Sequence, residues 1–189
     1  MMKKITKKRI KMMLHAPRLL MYRLRGGEVD FSTEVCARTS IYNSKVGKYG
    51  FISIDCWMKG AEIGNYVSMA GMVQIGAMEH PYWDLSTNTY LCKELPVTKK
   101  TKIGNDVWIA SQVVIRQGVT IGDGAVIGAN SFVNKDVPPY SVVVGSPARV
   151  LKYRFSDTII EELQKSRYWE FPPKKARKIL VEIRNRYSM

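Results

Sequence analysis

The chain has 189 residues, enough for one domain with a substantial core, and carries 30 Lys and Arg against 16 Asp and Glu, a net charge of +14. Its cysteines, Cys36, Cys56 and Cys92, show neither metal-ligand nor redox spacing, which points to a reduced, cytoplasmic setting. No apolar run approaches the ~20 residues of a transmembrane helix, and Leu19–Tyr22 is too short for the apolar core of a signal peptide.

The charge is uneven along the chain. Residues 1–25 hold nine basic residues and no acidic one, residues 149–189 hold eleven and five, and residues 26–148 hold ten and eleven. The ends, not the middle, therefore favour anionic partners. In the first segment Ile10, Met13, Leu14, Leu20, Met21 and Leu24 fall near one helical face, interrupted at Pro17. It reads as a cap over the first coil of the repeat that begins at Val29, or as a basic amphipathic segment making peripheral contact with anionic lipid at the inner membrane face.

From residue 29 onward the period becomes six. Val29, Val35 and Ile41, then Val46, Ile52 and Met58, then Ile63, Met69 and Ile75 form three sets of three, each set a residue short of the next full step. Ile103, Ile109, Ile115, Ile121, Ile127 and Val133 continue without a skip. A hexapeptide repeat of this kind specifies a parallel β-helix, three hexads to a coil, with three 17-residue coils followed by two of 18. The branched residues point inward and stack on their equivalents one coil away.

The period fails between residues 76 and 102, so that stretch must leave the stack as a loop, and long loops inside compact repeats are usually functional. It resumes and is expected to run through Val144 to Val150, after which the spacing turns helical. Ser156 or Asp157 caps one helix, Pro172-Pro173 opens a second, and Tyr168, Trp169 and Phe171 sit at their joint. The organisation is thus a basic helical segment over 1–25, a β-helix over 26–153 with its loop at 76–102, and helices over 154–189.

Four segments together, Ile103-Gly-Asn-Asp-Val-Trp-Ile109, Gly118 to Ser131, Lys135-Asp-Val-Pro-Pro-Tyr140 and Gly145-Ser-Pro-Ala148, resemble the hexapeptide-repeat acyltransferases. They are most similar to the xenobiotic branch that acetylates chloramphenicol and streptogramins. Arg154-Phe-Ser156 and Tyr168-Trp-Glu-Phe171 look like that branch's C-terminal motif. The resemblance implies a left-handed β-helix, a homotrimer with a site in each cleft between subunits, acetyl-CoA as donor and no metal. It matches the family's catalytic histidine to His80. The run His80-Pro-Tyr-Trp-Asp84 departs from the antibiotic enzymes and is closer to polysaccharide O-acetyltransferases, which favours a glycan acceptor.

Acetyl transfer from a thioester to a hydroxyl needs a base for the hydroxyl proton, and histidine is the side chain suited to that at neutral pH. His15 lies in the basic segment, which leaves His80. Asp84 and Glu79 are the nearest groups to orient its ring. Correspondence with the family puts the pantetheine and the oxyanion donor around Trp108, Ala110, Ser111 and Ala129, where small residues let a ligand approach backbone. Lys135, Arg149 and Lys152 are candidates for the CoA phosphates, and Tyr82, Trp83 and Asp84 for the acceptor, with Tyr90 a further ring that stacks on sugar. A γ-type carbonic anhydrase on the same stack needs three histidines per zinc and is excluded. Nucleic acid is excluded by the lack of interleaved aromatic and basic residues. A non-catalytic scaffold with membrane-binding ends is the remaining alternative.

Overall fold

The computed structural model describes Pro17 and residues 19–188. The helical pattern expected around Ile10, Met13 and Leu14 lies outside them. The repeat folds as a triangular stack of parallel strands on three faces. The first face carries Glu28–Val29, Lys45–Val46, Ala61–Ile63, Thr101–Ile103 and Thr120–Ile121. The second carries Glu34–Val35, Phe51–Ile52, Ser68–Met69, Trp108–Ile109, Val126–Ile127 and Ser141–Gly145, and the third Ser40–Tyr42, Trp57–Lys59, Gln74–Ala77, Val114–Arg116 and Phe132–Val133.

The register follows the hexads. Val29 pairs with Val46, Val46 with Ile63, Ile63 with Ile103, and Ile103 with Ile121. The inward residues of all three faces form one core, in which Ile41, Met58, Ile75, Ile109, Ile115 and Ile127 are fully buried. Each such side chain contributes ~1.5–3 kcal/mol by leaving water, so the column of stacked branched residues dominates the stability of the stack.

The corners are left-handed turns. Between the first and second faces Tyr49, Tyr66, Asp106, Gly124 and Tyr140 have positive φ; between the second and third, Arg38, Asp55, Met72, Gln112 and Asn130 do. Tyr, Arg, Met and Gln thus adopt a conformation that suits Gly124 and Asn130 better. A left-handed non-glycine residue costs ~1–2 kcal/mol. Here the corner amides from Asp55 onward donate to carbonyls of the coil before, as from Tyr66 to Lys48, Asp106 to Asn65 and Gln112 to Gly71, and that of Tyr49 donates to the Ser32 hydroxyl. Glycine is required where coils touch most closely: a Cβ on Gly64 would stand 2.7 Å from the Gly104 carbonyl oxygen.

Two expectations are corrected at the ends. The hexads do not continue to Val150. The chain reverses at Gly145, where φ is +100°, and strand Ala148–Tyr153 returns antiparallel to Ser141–Gly145 through Ser146-Pro147. Gly145 tolerates the positive φ, and Pro147 has no N–H to offer a further parallel ladder. At the other end, Leu20, Met21 and Leu24 are exposed, whereas Leu19 and Tyr22 pack on the core and cap the first coil. Tyr22 stands outside the apolar set of the sequence pattern, yet its aromatic body is as good a plug as leucine.

The helices Asp157–Ser166 and Pro173–Arg186 cover the first corner. Ser156 occupies the N-cap of the first without a side-chain cap bond, and Pro172-Pro173 opens the second. The joint fixes them: Asn65 Nδ2 donates to the Trp169 carbonyl, Tyr66 Oη to the Phe171 carbonyl, and Tyr168 Oη to Asp106 Oδ2 at 2.5 Å. Burial outweighs the Tyr168 hydroxyl and the Arg154 charge and holds the Asp106 carboxyl above the usual carboxylate range. Folding therefore favours its protonated form. The contribution is full below ~4, the ordinary carboxylate value, and is lost as pH rises through the raised one. Asp106→Asn is expected to flatten the stability–pH profile in that mildly acidic window, read as denaturation midpoints from about pH 4 to 7.

Candidate active site

The loop leaves the stack at the third corner, after Ala77. Gly76 permits the departure, since with φ +78° a Cβ there would lie 2.0 Å from the Lys59 carbonyl oxygen. The loop base is clamped by Arg116, whose Nη2 donates to Glu79 Oε2 at 2.5 Å. His80 follows directly. Its Nδ1 stands 3.0 Å from the Thr87 carbonyl oxygen. An acceptor faces that nitrogen, so Nδ1 carries the proton and Nε2 keeps the lone pair that a base needs. Neither acidic neighbour orients the ring: Glu79 belongs to Arg116, and Asp84 accepts from the amides of Leu85 and Lys93, which folds the loop on itself. A backbone carbonyl has no sequence signature, which is why Thr87 was not foreseen.

Beneath the loop lies a cavity of about 470 Å³ lined by Glu79, Tyr82, Trp83, Glu94, Lys99, Arg116, Asn134 and Lys135 among others. Tyr82 and Trp83 meet edge to face at 5.3 Å. The structure thus groups Lys135 with the acceptor candidates rather than with the other phosphate candidates. Arg116 and Asn134, which sequence reasoning missed, have Nε and Oδ1 respectively buried without a partner. Such atoms cost ~1–3 kcal/mol each when left unpaired. Asp84 is not part of the cavity wall.

The remaining candidates gather at the second corner and on the second face. Trp108 is 53% exposed on the outer side of its strand, and Ala110 and Ser111 follow it, with Ala129 one coil on. The ladder commits the Trp108 amide to the Ala125 carbonyl and the Ala110 amide to that of Ile127. The Ser111 and Ala129 amides have no such bond among the described residues. Of the four residues, these two therefore have an N–H to offer a ligand. Lys152 closes an outward row on the same face, opposite Val142, which pairs with Val126, which pairs with Trp108. Arg149 lies on the same hairpin, its Nη1 on the neighbouring Ala148 carbonyl. Arg154, also missed, lines a hollow with Trp108, Ser68 and Val126 while donating to the Gly124 carbonyl at 2.6 Å.

His80 and Ser111 thus flank the third face at its opposite edges, and one chain does not bring them together. Among the described residues no group of three His, Cys, Asp or Glu side chains is placed to hold a metal ion. Cys36, Cys56 and Cys92 are free thiols, and burial pushes the Cys56 thiol up from its ordinary value.

The family described as bacterial transferase hexapeptide (six repeats) matches residues 100–135. A hexapeptide-repeat-containing acetyltransferase of Vibrio cholerae O1 biovar eltor, solved complexed with acetyl coenzyme A, superposes with a TM-score of 0.65 at 31% identity, covering 78% of this chain and 85% of that one. The chain belongs to the hexapeptide-repeat acetyltransferases. Its fold is accordingly the family's left-handed parallel β-helix. Within the family it is also similar to a maltose O-acetyltransferase of Clostridium difficile 630, with 33% identity, a TM-score of 0.61, and 82% of this chain and 80% of that one covered. A chloramphenicol acetyltransferase of Morganella morganii is 40% identical over 58% of this chain and 59% of its own length. The chain spans about half the length of the curated relatives it matches.

The clamp at the loop base is testable. Arg116→Met is expected to speed amide hydrogen exchange in residues 78–92 by about tenfold, the factor that a lost bond of ~1.4 kcal/mol represents. Protection at Ile115 should stay unchanged.

Proposed function

We propose that the protein transfers acetyl from acetyl-CoA directly to a hydroxyl of a saccharide, with His80 as the general base. The observation that carries this reading is the His80 ring itself, held by the Thr87 carbonyl so that Nε2 is the basic nitrogen, in a loop whose Glu79, Tyr82 and Trp83 wall an aromatic and polar cavity that His80 itself does not line. The acceptor oxygen attacks the thioester carbon while its proton passes to Nε2. The Ser111 or Ala129 amide meets the oxyanion. As the C–S bond breaks, the imidazolium returns that proton to the departing thiolate, which leaves ester, CoA and neutral His80. Trp108, Ala110, Ser111 and Ala129 line the pantetheine, and Lys152 and Arg149 meet the phosphates. No acyl-enzyme is required: Cys56 adjoins the second corner, but its thiol is buried and donates to the Ile54 and Ala70 carbonyls.

Tyr82 and Trp83 offer faces for a sugar ring, while Arg116, Asn134, Glu94 and Lys135 offer polar partners suited to several hydroxyls. The maltose O-acetyltransferase likeness supports a saccharide, such as a polysaccharide unit or its lipid-linked precursor. The second reading, a chloramphenicol-type antibiotic acceptor, is favoured by the 40% identity to the Morganella enzyme.

The functional unit is a homotrimer in this reading, working in the cytoplasm. Two observations support an oligomer. His80 and Ser111 sit at different corners of one chain, so a second copy is needed to complete a site. Leu85, Tyr90, Leu91, Leu95 and Val97 of the loop are all more than half exposed in a single chain, a surface suited to burial against a neighbour.

CoA release from acetyl-CoA over maltose, other mono- and oligosaccharides and chloramphenicol tests the assignment. Turnover with a saccharide should fall by at least about 10²–10⁴-fold in His80→Ala, the contribution of a general base; release that survives the substitution removes His80 from the role. Ser111 precedes the left-handed Gln112, the turn position that proline favours. Ser111→Pro is therefore expected to keep the fold, read by circular dichroism. If Ser111 supplies the oxyanion donor, turnover drops by about 10²–10³-fold; if it does not drop, the donor is the Ala129 amide.

A further inference from the structure

Helical residues 19–24 present two unlike faces. Tyr22 is 2% exposed over the first coil, and its hydroxyl donates to the Thr39 carbonyl at 3.3 Å. The Gly27 amide donates to the Tyr22 carbonyl, the Asn43 amide to that of Arg25, and the Arg25 guanidinium lies 5.1 Å from the Tyr42 ring centre. The turn is therefore fixed to the end of the stack. Leu20 and Leu24, one helical turn apart, are 61% and 81% exposed. Each is two positions from Tyr22, which is about 200° around a helix, so both point away from the coil that Tyr22 covers.

One exposed leucine needs no explanation. Two on one turn, with Met21 half exposed beside them, stand in a segment whose residues 1–25 carry nine positive charges and no negative one. The apolar patch is a single turn, far below the ~800 Å² per partner of a stable protein interface. The surface that takes both features is an anionic bilayer: short apolar side chains enter the acyl boundary while Lys and Arg stay among the headgroups.

We propose that the N-terminal end of the β-helix docks on an anionic lipid surface through the outward face of Leu20, Met21 and Leu24, with the positive charge that the sequence carries over residues 1–25 attracting the headgroups. The proposal does not depend on acetyl transfer, although it suits an acceptor presented at a membrane. The full-length protein is sedimented with vesicles of phosphatidylcholine and phosphatidylglycerol, or of phosphatidylcholine alone, at about 0.1 M salt, where the Debye length is ~10 Å.

Binding only to the phosphatidylglycerol vesicles is expected, with at least a tenfold loss in the Leu20→Asp/Leu24→Asp variant. Circular dichroism and CoA binding of that variant, both remote from this face, should be unchanged. No binding to anionic vesicles overturns the proposal, and so does equal binding by the variant, which would reduce the contact to charge alone. A concentration-dependent change of mass in sedimentation velocity that the variant abolishes would assign the face to a second copy and overturn it too.

Discussion

The structure depends on one constraint: each inward branched residue must sit on its equivalent in the coil before. Val29, Val46, Ile63, Ile103 and Ile121 form one such file along the first face. A slip of one residue would turn a whole strand's inward set to solvent. The chain therefore accepts left-handed backbone at residues as unsuited to it as Tyr66 and Met72. It also accepts an excursion between Ala77 and Thr101, provided that Ile115 returns beside Ile75. Side chains point inward for stability and outward without obligation, so the outer surface is available for chemistry.

That surface is divided by corner. The first is occupied by the C-terminal helices, which Tyr168 and Trp169 pin against Asp106 and Asn65. The second offers the uncommitted amides of Ser111 and Ala129, and the third carries the loop with His80. The ladder bonds that build a corner also decide which amides remain for a ligand. Stability and reactivity thus use the same backbone, one residue apart: Ala110 donates within the stack while Ser111 does not. The separation of the second and third corners makes a second chain a chemical requirement of the proposed site.

The repeat was legible because period, register and burial are one property of a β-helix: inward residues must recur at fixed intervals, and Val29 to Val133 do. The loop was legible as the break in that period, and its only histidine could be named from it. What escaped had no periodic or compositional trace. The Thr87 carbonyl is backbone. Arg116 looks like any outward residue of a strand until Glu79 folds over it, and Asn134 until the loop closes a cavity above it. That Lys135 lines the cavity under the loop was not legible, because proximity in sequence to the family motif does not reveal which corner a side chain leaves from. The reversal at Gly145 escaped because Val144 and Val150 keep the spacing of a hexad while the intervening Ser146-Pro147 turns the chain back.

The central claim is that register holds the fold and the loop is an insertion that serves the chemistry. Deleting residues 78–100 joins Ala77 to Thr101 and restores between Ile75 and Ile103 the step that separates Met58 from Ile63. Calorimetric titration of that variant with CoA is the most direct measurement. Binding within about threefold of the intact protein, a change of less than ~1 kcal/mol, is expected, since the stack and its second corner need nothing from the loop. A protein that no longer binds CoA would contradict the account.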